Sequence, residues 1–156
     1  MKHKVFALTC VLATMSGAAL AQSLELAARF EKKVIEYETE DRASAPSKGA
    51  ILFAGDSQFY RWRTIREDLP GYTLINRGID SFQFRDLNRY AERIVIPYAP
   101  RLIVLHVGGN DVHNGRTPAQ VLEDFKSFVG LVRARLPAVS ASFDPAVLPV
   151  LFDSVY

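Results

Sequence analysis

Apolar residues cluster in three short runs along the chain, and each run ends in small or polar residues. The runs occupy positions 50–54, 72–76 and 102–107. A short run that is mostly apolar, rather than alternating with polar residues, is typical of a strand buried on both faces of a sheet. We therefore predict three buried strands at these positions.

Stretches with helical periodicity separate these runs. Apolar positions spaced three and four residues apart predict helices at 23–40, 59–68, 82–94 and 117–136. The last helix has a clear start, because Thr117 is a good N-cap and Pro118 suits the first helical position. Its expected inward-facing residues are Val121, Leu122, Phe125, Phe128, Val129 and Val132.

Strands that alternate with helices predict the α/β class, with a parallel sheet covered on both faces. In such sheets ligands bind at the carboxyl ends of the strands. The three strand ends here carry Gly55-Asp56-Ser57, Asn76-Arg77-Gly78 and Gly108-Gly109-Asn110-Asp111. These are the places where we expect chemistry.

Ser57 follows a buried strand, where a hydroxyl can act as a nucleophile beside the amides of the next helix. The backbone N–H groups of Ser57 and Gly78 and the side chain of Asn110 could then stabilise an oxyanion. Taken singly, each motif also suits a turn or a helix N-cap. Their shared position at three successive strand ends favours the catalytic interpretation.

Residues 51–57, 75–79 and 104–111 resemble the first three sequence blocks of the SGNH (GDSL-type) hydrolases, in the platelet-activating-factor acetylhydrolase-like branch. The resemblance covers residues 48–137. It implies a three-layer α/β/α fold with a parallel, flavodoxin-like sheet, and ester or O-acetyl hydrolysis through a serine acyl-enzyme without a metal or other cofactor. By match to the motifs, Ser57 would be the nucleophile, Gly78 and Asn110 would be oxyanion donors, and Asp56 and Asp111 would support their loops.

A serine nucleophile needs a general base, which this family carries in a C-terminal Asp-x-x-His block. The chain has three histidines: His3 in the leader, His106 in the third strand, and His113 after the asparagine loop. We interpret His106 as a satisfied core or strand-end histidine and His113 as a possible substitute base. Asp144 and Asp153 have no histidine partner, and residues 138–156 lose the strand pattern. We therefore expect a truncated or frame-shifted relative whose sequence diverges near Val139, and impaired catalysis is the alternative to an active esterase.

The first 21 residues have a basic start, an apolar middle and the small residues Ala19 and Ala21 before a cleavage point, as a secretory signal does. Their apolar run, residues 5–20, falls short of the roughly 20 residues needed to span a bilayer, so a stable membrane anchor is not expected. Cleavage removes Lys2, Lys4 and the single cysteine, so the 19 basic residues fall to 17 and equal the 17 acidic ones. A secreted or periplasmic protein with no net charge is predicted, and a nucleic-acid partner is not.

The organisation expected is therefore a signal at 1–21, a helix and loop at 22–47, the hydrolase-like domain at 48–137 and a divergent tail at 138–156. The expected partner is a small ester, or an acetylated glycan or lipid, and Arg77 could face an anionic group of it. The other arginines alternate with acids and predict an ion-paired surface. A flavodoxin-like binding module would need a phosphate loop richer in Gly, Ser and Thr than residues 55–60.

Overall fold

The structure, a computed structural model, describes residues 17–139. The basic start of the predicted signal, with His3 and Cys10, lies outside the described residues. So does the tail from residue 140 onward, including Asp144 and Asp153. Between residues 17 and 139 no helix is both long enough and apolar enough to cross a bilayer.

Three strands and six helices make up the described part of the chain. The strands are β1 (Ile51–Gly55), β2 (Leu74–Gly78) and β3 (Leu102–His106). The helices are α1 (Gly17–Ala43), α2 (Ser57–Arg61), α3 (Ile65–Asp68), α4 (Phe84–Ile94), α5 (Gly109–His113) and α6 (Pro118–Arg135), with a 3₁₀ turn at Ile96–Tyr98. All three predicted strands are confirmed to within two residues.

The strands form one parallel sheet in the order β2-β1-β3. The central strand β1 is buried along its whole length, as its continuous apolar run predicts. Its last residue, Gly55, lies opposite Gly78 on one side and His106 on the other. The carboxyl ends of all three strands therefore meet at one edge of the sheet.

Two apolar clusters sandwich the sheet and produce the predicted three layers. On one face, Leu52 and Ala54 of β1 pack with residues of α1, α4 and α6. On the other face, Ile51 and Phe53 pack with α2 and α3 through Phe59 and Ile65. Because strand side chains alternate between faces, consecutive apolar residues of β1 supply both clusters. The α/β parallel fold class is confirmed.

The predicted helix at 59–68 is interrupted in the structure. The backbone of Trp62 leaves helical geometry, with ψ of 78°, and its ring packs edge-on against Phe53 at 5.9 Å. The indole N–H and the Thr64 hydroxyl both donate to Asp68, at 2.5 and 2.7 Å. These contacts stabilise a turn between α2 and α3, which helical periodicity alone does not reveal.

The last two helices, α5 and α6, differ from the sequence-based expectation in one respect each. Residues 109–113, expected as a loop, form the short helix α5. In α6, Thr117 and Pro118 occupy the predicted start, and Thr117 and Gln120 form a reciprocal capping box. Leu122, however, is 49% exposed, so its predicted inward orientation is wrong, whereas Phe128 and Val132 are buried.

Gly78 is a packing glycine as well as a strand end. A Cβ at this position would lie 2.3 Å from the backbone nitrogen of Tyr60 and 2.6 Å from the carbonyl carbon of Phe59. The absence of a side chain at Gly78 therefore allows α2 to rest directly on β2. The position of α2 in turn determines where Ser57 lies.

We predict that Gly78→Ala lowers the free energy of unfolding by about 1–3 kcal/mol, because the added methyl group must displace the backbone of α2. Gly130→Ala is the matched control, since nothing lies within 4 Å of a Cβ there. In the middle of α6, that change should stabilise the protein by about 0.5–1 kcal/mol. Urea denaturation of both variants measures the difference, and equal stability of the two variants would contradict the close packing.

Candidate active site

Ser57 is the first residue of α2 and is half-buried at the edge where the strands end. The preceding residue, Asp56, is the N-cap of this helix, and its Oδ1 accepts the backbone N–H of Gln58 at 3.1 Å. The N-cap is thus Asp56, not Ser57. The Ser57 hydroxyl is not used for capping, which leaves it available for chemistry.

Asp56 has a second partner across the sheet. Its Oδ1 lies 3.0 Å from Nδ1 of His106, the last residue of β3. The Asp56 side chain is 6% exposed and that of His106 is 28% exposed. The hydrogen bond to Asp56 raises the pKa of His106 above its usual range, against the opposing effect of burial. His106 is thus a strand-end histidine with a partner, the interpretation that the sequence favoured.

Gly78 has both of its backbone polar groups engaged. Its N–H donates to Oδ1 of Asn76 at 2.9 Å, and its carbonyl accepts the hydroxyl of Tyr37 at 2.5 Å. Asn76 also donates from Nδ2 to the carbonyl of Phe59 at 2.7 Å. The Asn76 side chain therefore joins the end of β2 to α2. It also accepts the Gly78 N–H, which the sequence analysis proposed as a donor to an oxyanion.

Asn110 and Asp111 fasten the segment at 82–84, between β2 and α4, to α5. Asn110 donates from Nδ2 to the carbonyl of Phe82 at 3.0 Å, which leaves its second N–H for another acceptor. Asp111 is fully buried and accepts the backbone N–H of Phe84, with Oδ2 at 3.1 Å. Burial raises the pKa of Asp111, and Arg116 at 3.6 Å partly offsets this effect.

The common edge of the sheet thus brings Ser57, Gly78 and Asn110 to the same region of the molecule. His113 is exposed at the last turn of α5, one turn after Asn110.

Ser81, in the loop that Asn110 holds, has a left-handed backbone with φ of 66°. Such strain is common at functional sites, but no sequence signal marks Ser81 because left-handed positions are usually glycine or asparagine.

Arg77 does not face the site, contrary to the role considered for it from the sequence. It is 6% exposed and forms an ion pair with Asp41 at the end of α1. Its Nε also donates to the Tyr98 hydroxyl at 2.8 Å. Strand alternation explains the difference, because Arg77 faces the α1 side of the sheet.

The acidic, histidine and cysteine side chains of residues 17–139 form no group of three that could hold a metal ion. The candidate site therefore consists of a serine hydroxyl, a helix N-terminus, an asparagine amide and a histidine–carboxylate pair. This arrangement suits nucleophilic attack on a carbonyl carbon.

Solved structures share this fold. One from Streptococcus pneumonia, described as a platelet activating factor, superposes with a TM-score of 0.66 at 25% identity, covering 81% of this chain and 59% of that protein. A GDSL-like lipase from Bacteroides thetaiotaomicron gives 0.58 at 23% identity, covering 66% of this chain and 54% of the lipase. The chain thus spans less than two thirds of either protein. No protein-family model and no curated protein sequence matches this chain. The chain has the fold of the SGNH hydrolases.

We predict that Asp41→Ala lowers the free energy of unfolding by about 3–5 kcal/mol, because it leaves the buried Arg77 guanidinium without its ion-pair partner. Lys126→Ala is the control, since it removes an exposed pair with Glu123 and should cost about 1 kcal/mol or less. Thermal and urea unfolding of both variants measure this. A loss for Asp41→Ala no larger than that for Lys126→Ala would show that the buried pair is not needed.

Proposed function

We propose that the chain is a serine hydrolase that cleaves esters or O-acetyl groups through an acyl-enzyme. One observation carries the proposal. Ser57 stands at the N-terminus of α2, directly after the central strand, with Gly78 at the end of β2 and Asn110 in α5, just after β3. The fold supports it, because the solved structures that share this fold include a GDSL-like lipase.

In the proposed reaction, the Ser57 oxygen attacks the acyl carbon while its proton passes to a base. The carbonyl oxygen becomes an oxyanion, which the Ser57 N–H and the second N–H of Asn110 stabilise. The leaving alcohol takes up a proton as the acyl-enzyme forms, and water then releases the acid. The Gly78 N–H joins the donors only when Asn76 turns its side chain away.

The reaction needs a base that accepts the Ser57 proton. Among the described residues, His113 is the candidate that the sequence proposes, and it is exposed about one turn after Asn110. We keep His113 as a proposed substitute base. The partner that we propose is a small ester, or an acetyl group carried by a glycan or lipid, and no cofactor enters the reaction.

A catalytically impaired relative that binds an acyl ligand weakly is the second candidate. One observation favours it: the Gly78 N–H and one N–H of Asn110 are both engaged in internal hydrogen bonds. An oxyanion hole closed in this way would bind a carbonyl weakly. The assay that follows separates the two candidates.

We expect the wild-type chain to hydrolyse p-nitrophenyl acetate. Ser57→Ala should reduce turnover to what binding and oxyanion donors alone provide, on the order of 10³ over the uncatalysed rate. Ser127→Ala on α6 is the matched control, because Ser127 only donates to its own helix at Glu123. Turnover unaffected by Ser57→Ala would exclude Ser57 as the nucleophile, and no turnover by the wild type would favour the impaired relative. His113→Ala in the same assay should lower kcat if His113 is the base.

We also propose export, with cleavage after Ala21. This cut would fall within α1 but upstream of its buried residues, which begin at Phe30, so the folded core would be kept. Mass spectrometry of the protein recovered from the periplasm or medium should give Gln22 as the first residue. Ala21→Arg should prevent processing, since signal peptidase requires a small residue there. Recovery of the exported protein with residues 1–21 intact would contradict the proposal.

A further inference from the structure

We propose that His106 is a positioning residue for Ser57, acting through Asp56 and the N-terminus of α2. The inference deepens the proposed function and rests on it. It gives a role to a histidine that the sequence interpreted as structural. His106 ends β3 whereas Ser57 begins α2, so the effect of His106 on Ser57 must pass through hydrogen bonds and packing.

The first connection is the shared carboxylate oxygen. Oδ1 of Asp56 accepts the Gln58 N–H at 3.1 Å and lies 3.0 Å from Nδ1 of His106. Ser57 stands between Asp56 and Gln58, the two residues that this hydrogen bond joins. One oxygen atom therefore joins the end of β3 to the first turn of the helix that carries Ser57.

Two more contacts run from His106 to the same segment. Its carbonyl accepts the backbone N–H of Asp56 at 2.9 Å. Its ring packs edge-on against Phe59, with the ring centres 5.8 Å apart. Phe59 is 2% exposed, so this contact belongs to the packed face of α2. His106 thus holds α2 by its backbone, by its ring nitrogen and by its ring face.

The helix α2 needs this support because it is short. A helix of five residues is not stable by itself, since nucleation costs more than so few hydrogen bonds return. A displacement of about 1 Å at a nucleophile can cost on the order of 10²-fold in rate. A substitution that removes the side-chain contacts of His106 but keeps its backbone should therefore change the position of the Ser57 hydroxyl more than it changes the stability of the fold.

The charge on this pair depends on pH. The charged group in contact with His106 is Asp56. The other two neighbours of the ring carry no charge: Phe59 of α2 packs against it, and Gly55 of β1 has no side chain. On α5, Asp111 faces Phe84 and Arg116 instead, and His113 is exposed. Asp56 raises the pKa of His106 in the folded protein. The ion pair therefore makes its full contribution to the stability of α2 when the pH is below the ordinary histidine pKa. That contribution is lost as the pH rises through the raised value, and the neutral ring keeps the hydrogen bond.

The test compares His106→Leu, which removes the donor, with His106→Asn, whose amide N–H can replace Nδ1. Arg101→Leu is the control, since Arg101 is exposed before the opposite end of β3. Two readouts are measured in the full chain: ester hydrolysis against pH, and hydrogen exchange of the Gln58 amide by NMR.

We expect His106→Leu to lower kcat by about 10- to 100-fold with little change in KM, and to speed exchange at Gln58. In the wild type, kcat should fall as the pH rises through the His106 pKa, because the ion pair is lost. His106→Asn should recover most of kcat and of the slow Gln58 exchange without this fall, because an amide does not titrate. Normal kcat and normal Gln58 exchange in His106→Leu would overturn the proposal. If the wild type shows no Ser57-dependent turnover, the proposed function fails instead, and exchange at Gln58 still decides whether His106 holds α2.

Discussion

The close backbone contact at the end of β1 is the constraint on which the rest of the site depends. A Cβ at Gly55 would lie 1.9 Å from the carbonyl oxygen of His106, so only glycine allows β3 to approach so near. The carbonyl of Gly55 accepts the Ile79 N–H at 2.9 Å on the other side. Three chain segments therefore converge at Gly55, directly before the N-cap residue Asp56 and α2. The location of Ser57 follows from this crowding.

The motif residues that chemistry would use also hold these segments together. Asn110 and Asp111 bind the loop at 82–84, and Asp56 binds both α2 and β3. Each of these polar side chains is half-buried or buried, where an unpaired hydrogen-bonding group costs about 1–3 kcal/mol. A substitution at any of them therefore changes stability and site geometry together. Separating the two effects requires replacements that keep one hydrogen bond and remove another.

The sequence could predict the strands, the parallel sheet and the capped start of α6, because these depend on local patterns. It could also locate Ser57, Gly78 and Asn110 at one edge, since parallel strands end on the same side. It could not place Arg77, whose burial depends on Asp41 and Tyr98, far away along the chain. Nor could it find the turn at Trp62, where contacts with Phe53 and Asp68 outweigh helical periodicity.

Which donors are free cannot be read from a sequence either, and Gly78 shows why this matters. Its N–H is already satisfied by Asn76, as buried backbone groups almost always are. A neutral ester carbonyl that displaced Asn76 would exchange one neutral hydrogen bond for another and gain little. An oxyanion would gain more, because hydrogen bonds to a charged acceptor are about twice as strong. Displacing the Asn76 oxygen costs the same in the bound ester and in the transition state, so only the stronger hydrogen bond to the oxyanion can raise kcat.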